Sequence, residues 1–221
     1  MSNLLRIKDY RLKIKDLGLR KEKSKQLINI STMKRILLMI LMAMPLMAMA
    51  QKTDDSKYLK GAVPEVDGII TFSRSFDVTG KTQAEVYASL QNVVKTLVAN
   101  GRQDLRTRVV SDENNMIVAR VEEIMTFKKK FLNWDHTYFR YLITAQAVSA
   151  TKAEVVIKNI SYHYGFDQEG NGGEEYKAEE WISDKEAINK AGTKLYPRSG
   201  KFRRKTVDRV DEIFGEFAKA L

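Results

Sequence analysis

His136 and His163 are the only histidines in the chain. With scattered Asp and Glu they could ligate zinc, which accepts imidazole nitrogen and carboxylate oxygen in a tetrahedral set. No H-E-x-x-H or comparable spacing accompanies them. Both fall opposite the apolar parity of their strands, so solvated positions are expected. The chain has no cysteine. That excludes thiol catalysis, Cys-based metal sites and a lipid anchor on a lipobox cysteine. No Ser-His-Asp set is legible, and no two carboxylates are marked as an acid/base pair. No catalytic residue, cofactor or metal site is therefore expected.

Binding chemistry has more to offer. "FKKKFLNWDH" (127–136) interleaves Lys128, Lys129 and Lys130 with Phe131 and Trp134. Such a mixture can serve a nucleic-acid or glycan surface, or can be a charged hairpin tip with one anchoring aromatic. "GNGG" (170–173) lacks both dinucleotide and Walker spacings and is expected to be a loop. "AEEWISDKEAINKAG" and "GKFRRKTVDRVDEIF" are the most distinctive stretches. Trp181, Lys201, Phe202 and Arg203 could surround an anion near a helix start. The structural alternative is favoured: Trp181 and Phe202 pin the terminal helices to a sheet. Arg203 or Arg204 then pairs with Glu179, Glu180 or Asp208. The binding candidates are thus Trp134, Trp181, Lys201, Phe202 and Arg203.

The elements that must position these residues follow from periodicity. "IITFSRSFDV" alternates, with Ile70, Phe72, Phe76 and Val78 on one parity, broken by Arg74. Thr82 and Glu85 form a capping box. Val86, Leu90, Val93, Val94, Leu97 and Val98 then fall at helical spacing up to Asn100-Gly101. Four strand-like runs follow, joined by short polar turns, which implies an antiparallel meander. Ile117, Ala119, Val121, Met125 and Phe127 share a face, as do Phe139, Tyr141, Ile143, Ala145 and Ala147. Val155 and Ile157 give way to Ile160, Tyr162 and Tyr164, so a bulge is expected near Lys158-Asn159. Residues 167–180 read as an acidic Gly-rich loop. Ser183 and Glu186 suggest a second capping box, with Gly192 as the stop. "LYPRSG" reads as a linker turn. A last helix follows, with Val207, Val210, Phe214, Phe217 and Leu221 on one stripe. The fold class is α+β, a single curved antiparallel sheet of about five strands with helices on one face.

Upstream lies a different pattern. "MKRILLMILMAMPLMAMAQ" begins at Met33 with a positive head, an apolar run to Met44, Pro45 and an A-x-A at Ala48–Ala50. This is a secretory signal with cleavage expected between Ala50 and Gln51. The run falls short of the about 20 apolar residues that span a bilayer. Residues 1–32 hold nine Lys or Arg against three acids, or +6. They are expected to be a long positive head or, preferably, the product of a start set upstream of Met33. Lys34 and Arg35 add +2, so of the chain's net charge of +10 only +2 remains from Gln51 onward. Net charge then gives no case for nucleic acid. The expected product is one domain (68–221) behind an extended, partly mobile lead-in (51–67). It is periplasmic or secreted and touches the membrane only through its signal.

"YLKGAVPEVDGIITFSRSFDV", "KAEEWISDKEAINKAGTKLYP" and "GKFRRKTVDRVDEIF" together carry a likeness. From Tyr58 to the C-terminus the chain resembles the exported bacterial family catalogued as domain of unknown function 4468. The V-P-x-V-D-G lead-in and the K-F-R-x-K-T-V-D run carry most of it. The resemblance implies a fold like the TATA-binding protein, and no activity, so no functional residue follows from it. Nor does such a fold imply DNA binding, since function sits in sites. The leading expectation is a non-enzymatic module of the Gram-negative envelope. It would bind a protein, glycan or small ligand on the uncovered sheet face or near Trp134. The alternatives are an envelope hydrolase or transferase and, less favoured, a nucleic-acid binder using Lys128–Lys130 and Lys201–Lys205.

Overall fold

The computed structural model describes residues 54–103, 106–131, 133–165 and 172–221. The leader, the apolar run, Ala50 and Gln51 lie outside the described residues. The strands are β1 (Glu65–Val66), β2 (Ile69–Asp77), β3 (Arg108–Glu113), β4 (Met116–Lys130), β5 (Asn133–Ser149), β6 (Lys152–Tyr164) and β7 (Glu174–Lys177). The helices are α1 (Gln83–Asn100), α2 (Ala178–Trp181), α3 (Asp184–Ala187) and α4 (Pro197–Ala220). The class is α+β, as the alternation implies.

One antiparallel sheet runs in the order β1-β2-β6-β5-β4-β3, with β7 beside β6 beyond the end of β2. It has seven strands rather than about five. The additions are β1 and β7, two and four residues long. The turns obey local chemistry. Asp67 and Gly68 between β1 and β2, and Asn114 and Asn115 between β3 and β4, all have positive φ. That is the requirement of a two-residue hairpin whose twist matches its strands, and Asn, Asp and Gly tolerate it best. The expected bulge is present in β6: Asn159 has φ 54°, and the ladder to β5 shifts between Arg140 and Leu142.

Alternation places Ile117, Ala119 and Val121 of β4, Phe139, Tyr141 and Ile143 of β5, and Val155, Ile157 and Tyr162 of β6 on one buried face. Val86, Leu90, Val94 and Leu97 of α1 and Val207, Val210, Phe214 and Phe217 of α4 join them in one core. Each such large apolar side chain contributes about 1.5–3 kcal/mol by leaving water. The Thr82 capping box forms: Glu85 N–H donates to Thr82 Oγ1 at 3.3 Å, and Thr82 N–H to Glu85 Oε2 at 2.7 Å.

Local signals misled near the C-terminus. Residues 167–180 are not all loop, because β7 and α2 lie within them. Ser183 caps α3 with no side-chain bond, and the helix ends at Ala187, well before Gly192. Gly192 (φ 72°) instead turns the chain so that Leu195 bridges Ile188. "LYPRSG" is not a linker throughout: Pro197 opens α4, where its missing N–H costs nothing. Gly200 is needed there because a Cβ would lie 2.8 Å from Leu195 Cβ.

The lead-in is strapped down from residue 54. Arg203, 0% exposed, donates to the carbonyls of Tyr58 (2.6 Å), Leu59 (2.8 Å) and Ile182 (2.6 Å), and to Asp184 Oδ1 (2.6 Å). Arg204 forks onto Asp55 at 2.6 Å, and Lys57 reaches Asp208 at 2.8 Å. The partners of Arg203 and Arg204 are therefore Asp184 and Asp55. Glu179 is engaged elsewhere, accepting from Ile70 N–H, and Asp208 binds Lys57 and Tyr58.

Candidate binding face

The described helices cover one sheet face, and the other holds a buried carboxylate among arginines. That carboxylate is Glu122 of β4, 0% exposed although its parity points away from the core. A buried carboxylate is tolerated only with counter-charges. Arg102, from the connection after α1, and Arg140 of β5 each take one of its oxygens. Arg106 approaches at 3.6 Å. Thr107 Oγ1 accepts from Glu122 N–H at 3.1 Å, and Glu122 O accepts from Arg102 N–H at 2.7 Å. Arg102 and Thr107 are thereby tied to Glu122 of β4. Gly101 permits this approach: a Cβ there would sit 2.8 Å from Thr107 Cγ2.

Arg140 extends the network to Glu175 on β7. Burial opposes the Arg140 charge, but the bonds to Glu122 and Glu175 prevail and raise its pKa. The Arg140 bond holds the Glu175 carboxyl below the usual range. Arg140 Nη2 is buried with no acceptor. Register adds Arg120 and Arg108, directly opposite each other on β4 and β3. Like charges so placed repel. A hollow of about 320 Å³ opens between Arg106, Arg120, Arg140, Asn159 and Ser161, where the bulge interrupts the ladder.

From this cluster an aromatic row follows β5. Arg102 lies 3.8 Å over the Tyr138 ring, and Tyr138 meets His163 at 5.9 Å. His136 stacks on Trp134 at 3.8 Å. His136 is therefore not solvated: it is 6% exposed, covered in part by Trp134, and its Nδ1 lies 2.9 Å from Trp134 O. His163 Nε2 lies 2.7 Å from Gly172 O. Trp134 is 42% exposed, and its indole N–H donates to Thr126 Oγ1 at 3.1 Å. Phe131 at the hairpin tip is fully exposed. No group of His, Asp or Glu among the described residues could hold a metal ion.

A larger cleft, about 610 Å³, lies on the helical side between β4 and α4. Its acids share two cations. Arg209 pairs with Glu123 (3.1 Å), Glu212 and Glu216, and Lys57 with Asp208 and Asp211. Size alone favours this cleft. The smaller hollow has the cations in excess.

The binding candidates from the sequence are divided by the sheet. Trp134 lies on the uncovered face. Trp181 ends α2, and Lys201, Phe202 and Arg203 belong to α4, all on the helical side. Phe202 is ringed by Phe127 (4.5 Å), Tyr162 (5.1 Å), Tyr164 (5.4 Å) and Trp181 (5.8 Å). Trp181 stacks on Tyr176 at 4.2 Å. Lys201 sits over Phe127 and Tyr164 and bonds Asp135 at 2.7 Å. Sequence reasoning missed Glu122 and its arginines. The available signal was a Glu alternating with Arg120 on a strand whose other parity is apolar.

An antiparallel sheet with the described helices on one face defines an α+β domain. The family described as a domain of unknown function (DUF4468) with TBP-like fold matches residues 72–163. The crystal structure of a DUF4468 family protein from Bacteroides ovatus ATCC 8483 is similar at 40% identity, over 76% of this chain and 95% of that one, with TM-score 0.68. A TBP-like protein from Parabacteroides distasonis ATCC 8503 shares the fold at 17% identity, over 72% of this chain and 96% of that one, with TM-score 0.56. The chain belongs to the DUF4468 family. No curated protein matches it.

Proposed function

We propose that this protein is an exported, non-enzymatic binding module of the bacterial envelope that takes its partner on the uncovered sheet face. The observation that carries the reading is the arginine cluster around buried Glu122, continued by the row from Tyr138 to Trp134. Charge and aromatic area sit together on a face that no helix among the described residues covers. Partner classes that suit it are an envelope protein, a glycan or a small ligand. A hydrolase or transferase needs an acid and a base held in different charge states. In the larger cleft Glu123, Asp208 and Asp211 are each matched by a cation, which favours binding over catalysis. Export is supported by the three-part pattern ending at Gln51. No helix among the described residues is long and apolar enough to cross a membrane.

The test is affinity capture from an envelope extract with the wild type, Arg120→Glu, Trp134→Ala and the control Lys219→Ala. Retention that survives both face variants refutes the reading; retention lost in them and kept in the control upholds it. N-terminal sequencing of exported protein should begin at Gln51. Finding Met1–Ser31 on that form refutes processing.

A further inference from the structure

We infer that the hollow between Arg106, Arg120 and Arg140 receives an oxyanion, a carboxylate or phosphate group carried by the ligand. The inference rests on the binding-module reading above and names the chemistry of its central contact. Glu122 also lines the hollow but is spent as an anchor: Arg102 and Arg140 occupy its two oxygens. Its hold on Arg106 is loose, at 3.6 Å, and the Arg106 side chain stays 54% exposed. Arg120 makes no ion pair with any described residue, although it faces Arg108 across the β3–β4 ladder.

The lining sets Arg120 beside Arg106 and Arg140, a group of guanidinium forks that a bound anion bridges. Planar guanidinium forks match the paired oxygens of carboxylate and phosphate, and arginine sheds its hydration more readily than lysine. The floor is suited to the same guest. Asn159 and Ser161 bring polar side chains to the point where the bulge breaks the β5–β6 ladder. At about 320 Å³ the hollow has the volume of a small-ligand site. Neighbouring Glu175 is committed to Arg140 and so does not neutralise Arg120.

Isothermal titration with citrate and, separately, inorganic phosphate tests this, using wild type, Arg120→Ala, Arg120→Lys and Lys219→Ala. Saturable binding of at least one probe is expected, weakened about tenfold in Arg120→Ala and unchanged in Lys219→Ala. Arg120→Lys should recover part of the loss, because it keeps charge without the fork. Citrate alone identifies a carboxylate ligand, phosphate alone a phosphate ligand, and either sustains the inference. Arg120 is exposed, and equal melting curves for the variants exclude misfolding as the cause. No saturable binding of either probe, or equal binding by Arg120→Ala, overturns it. If oxyanions fail while envelope capture still depends on Trp134, the oxyanion falls and the binding module stands.

Discussion

Arg203 Nη2 donates to the carbonyl oxygen of Leu59 at 2.8 Å, across 144 positions of sequence. The same guanidinium satisfies Tyr58 O, Ile182 O and Asp184. Arg203→Ala should lower unfolding free energy by about 3 kcal/mol, since buried acceptors lose their donor. Arg203→Lys should recover little of it, because one ammonium cannot span that set. Urea denaturation checks both. An unchanged midpoint in Arg203→Ala would refute the structural role.

Glu122→Gln should destabilise by about 3 kcal/mol, because it keeps the shape but leaves clustered guanidinium charge uncompensated. Raised salt should return part of the loss for the exposed members of the cluster. Denaturation at low and high ionic strength measures the difference. A variant as stable as wild type at low salt refutes the anchor role.

Gly101 has an ordinary φ of −68°, so its need for glycine is steric. Gly101→Ala should cost about 1–3 kcal/mol through the clash with Thr107 Cγ2. Thr107→Ser removes that methyl and keeps the hydroxyl that binds Glu122 N–H. The double variant should be more stable than Gly101→Ala alone, and a thermodynamic cycle reads the coupling.

Tyr87 and Asp112 link α1 to β3. Burial, then the bond to Asp112, pushes the Tyr87 phenol up to about 12 from an ordinary 10.0. Its proton is held longer in the fold than in the unfolded chain. The stability it contributes is complete below pH 10.0 and lost as pH rises through about 12. Asp112 is lowered from 3.8, first by the Tyr87 bond and then by Gln91, so its contribution is lost as pH falls below 3.8. Tyr87→Phe should remove the alkaline component and weaken the acid one. Phenolate absorbance and melting temperature against pH check this.

Where the fold was legible, side chains and backbone answered to neighbours in sequence. The Thr82–Glu85 cap, the parities of β4 and β5, the Asn159 bulge and the α4 stripe are of that kind. The Ser183–Glu186 pattern was also local, but tertiary demand overrode it, with Asp184 drawn to Arg203 and to Gly61 N–H. β7 is the polar run "EEYK", and only its pairing with β6 makes it a strand. The candidate face was hardest to see. Glu122 resembles any outward residue of a half-buried strand until Arg102 and Arg140 arrive 20 positions before and 18 after it. Trp134 could be named from composition alone, while its stacking on His136 required the hairpin register.

Arg203, Arg204 and Asp208 hold residues 55–59, so the domain's opening segment finds its seat only on its closing helix. In a chain made head-first, this segment therefore has no seat until the closing helix has followed it.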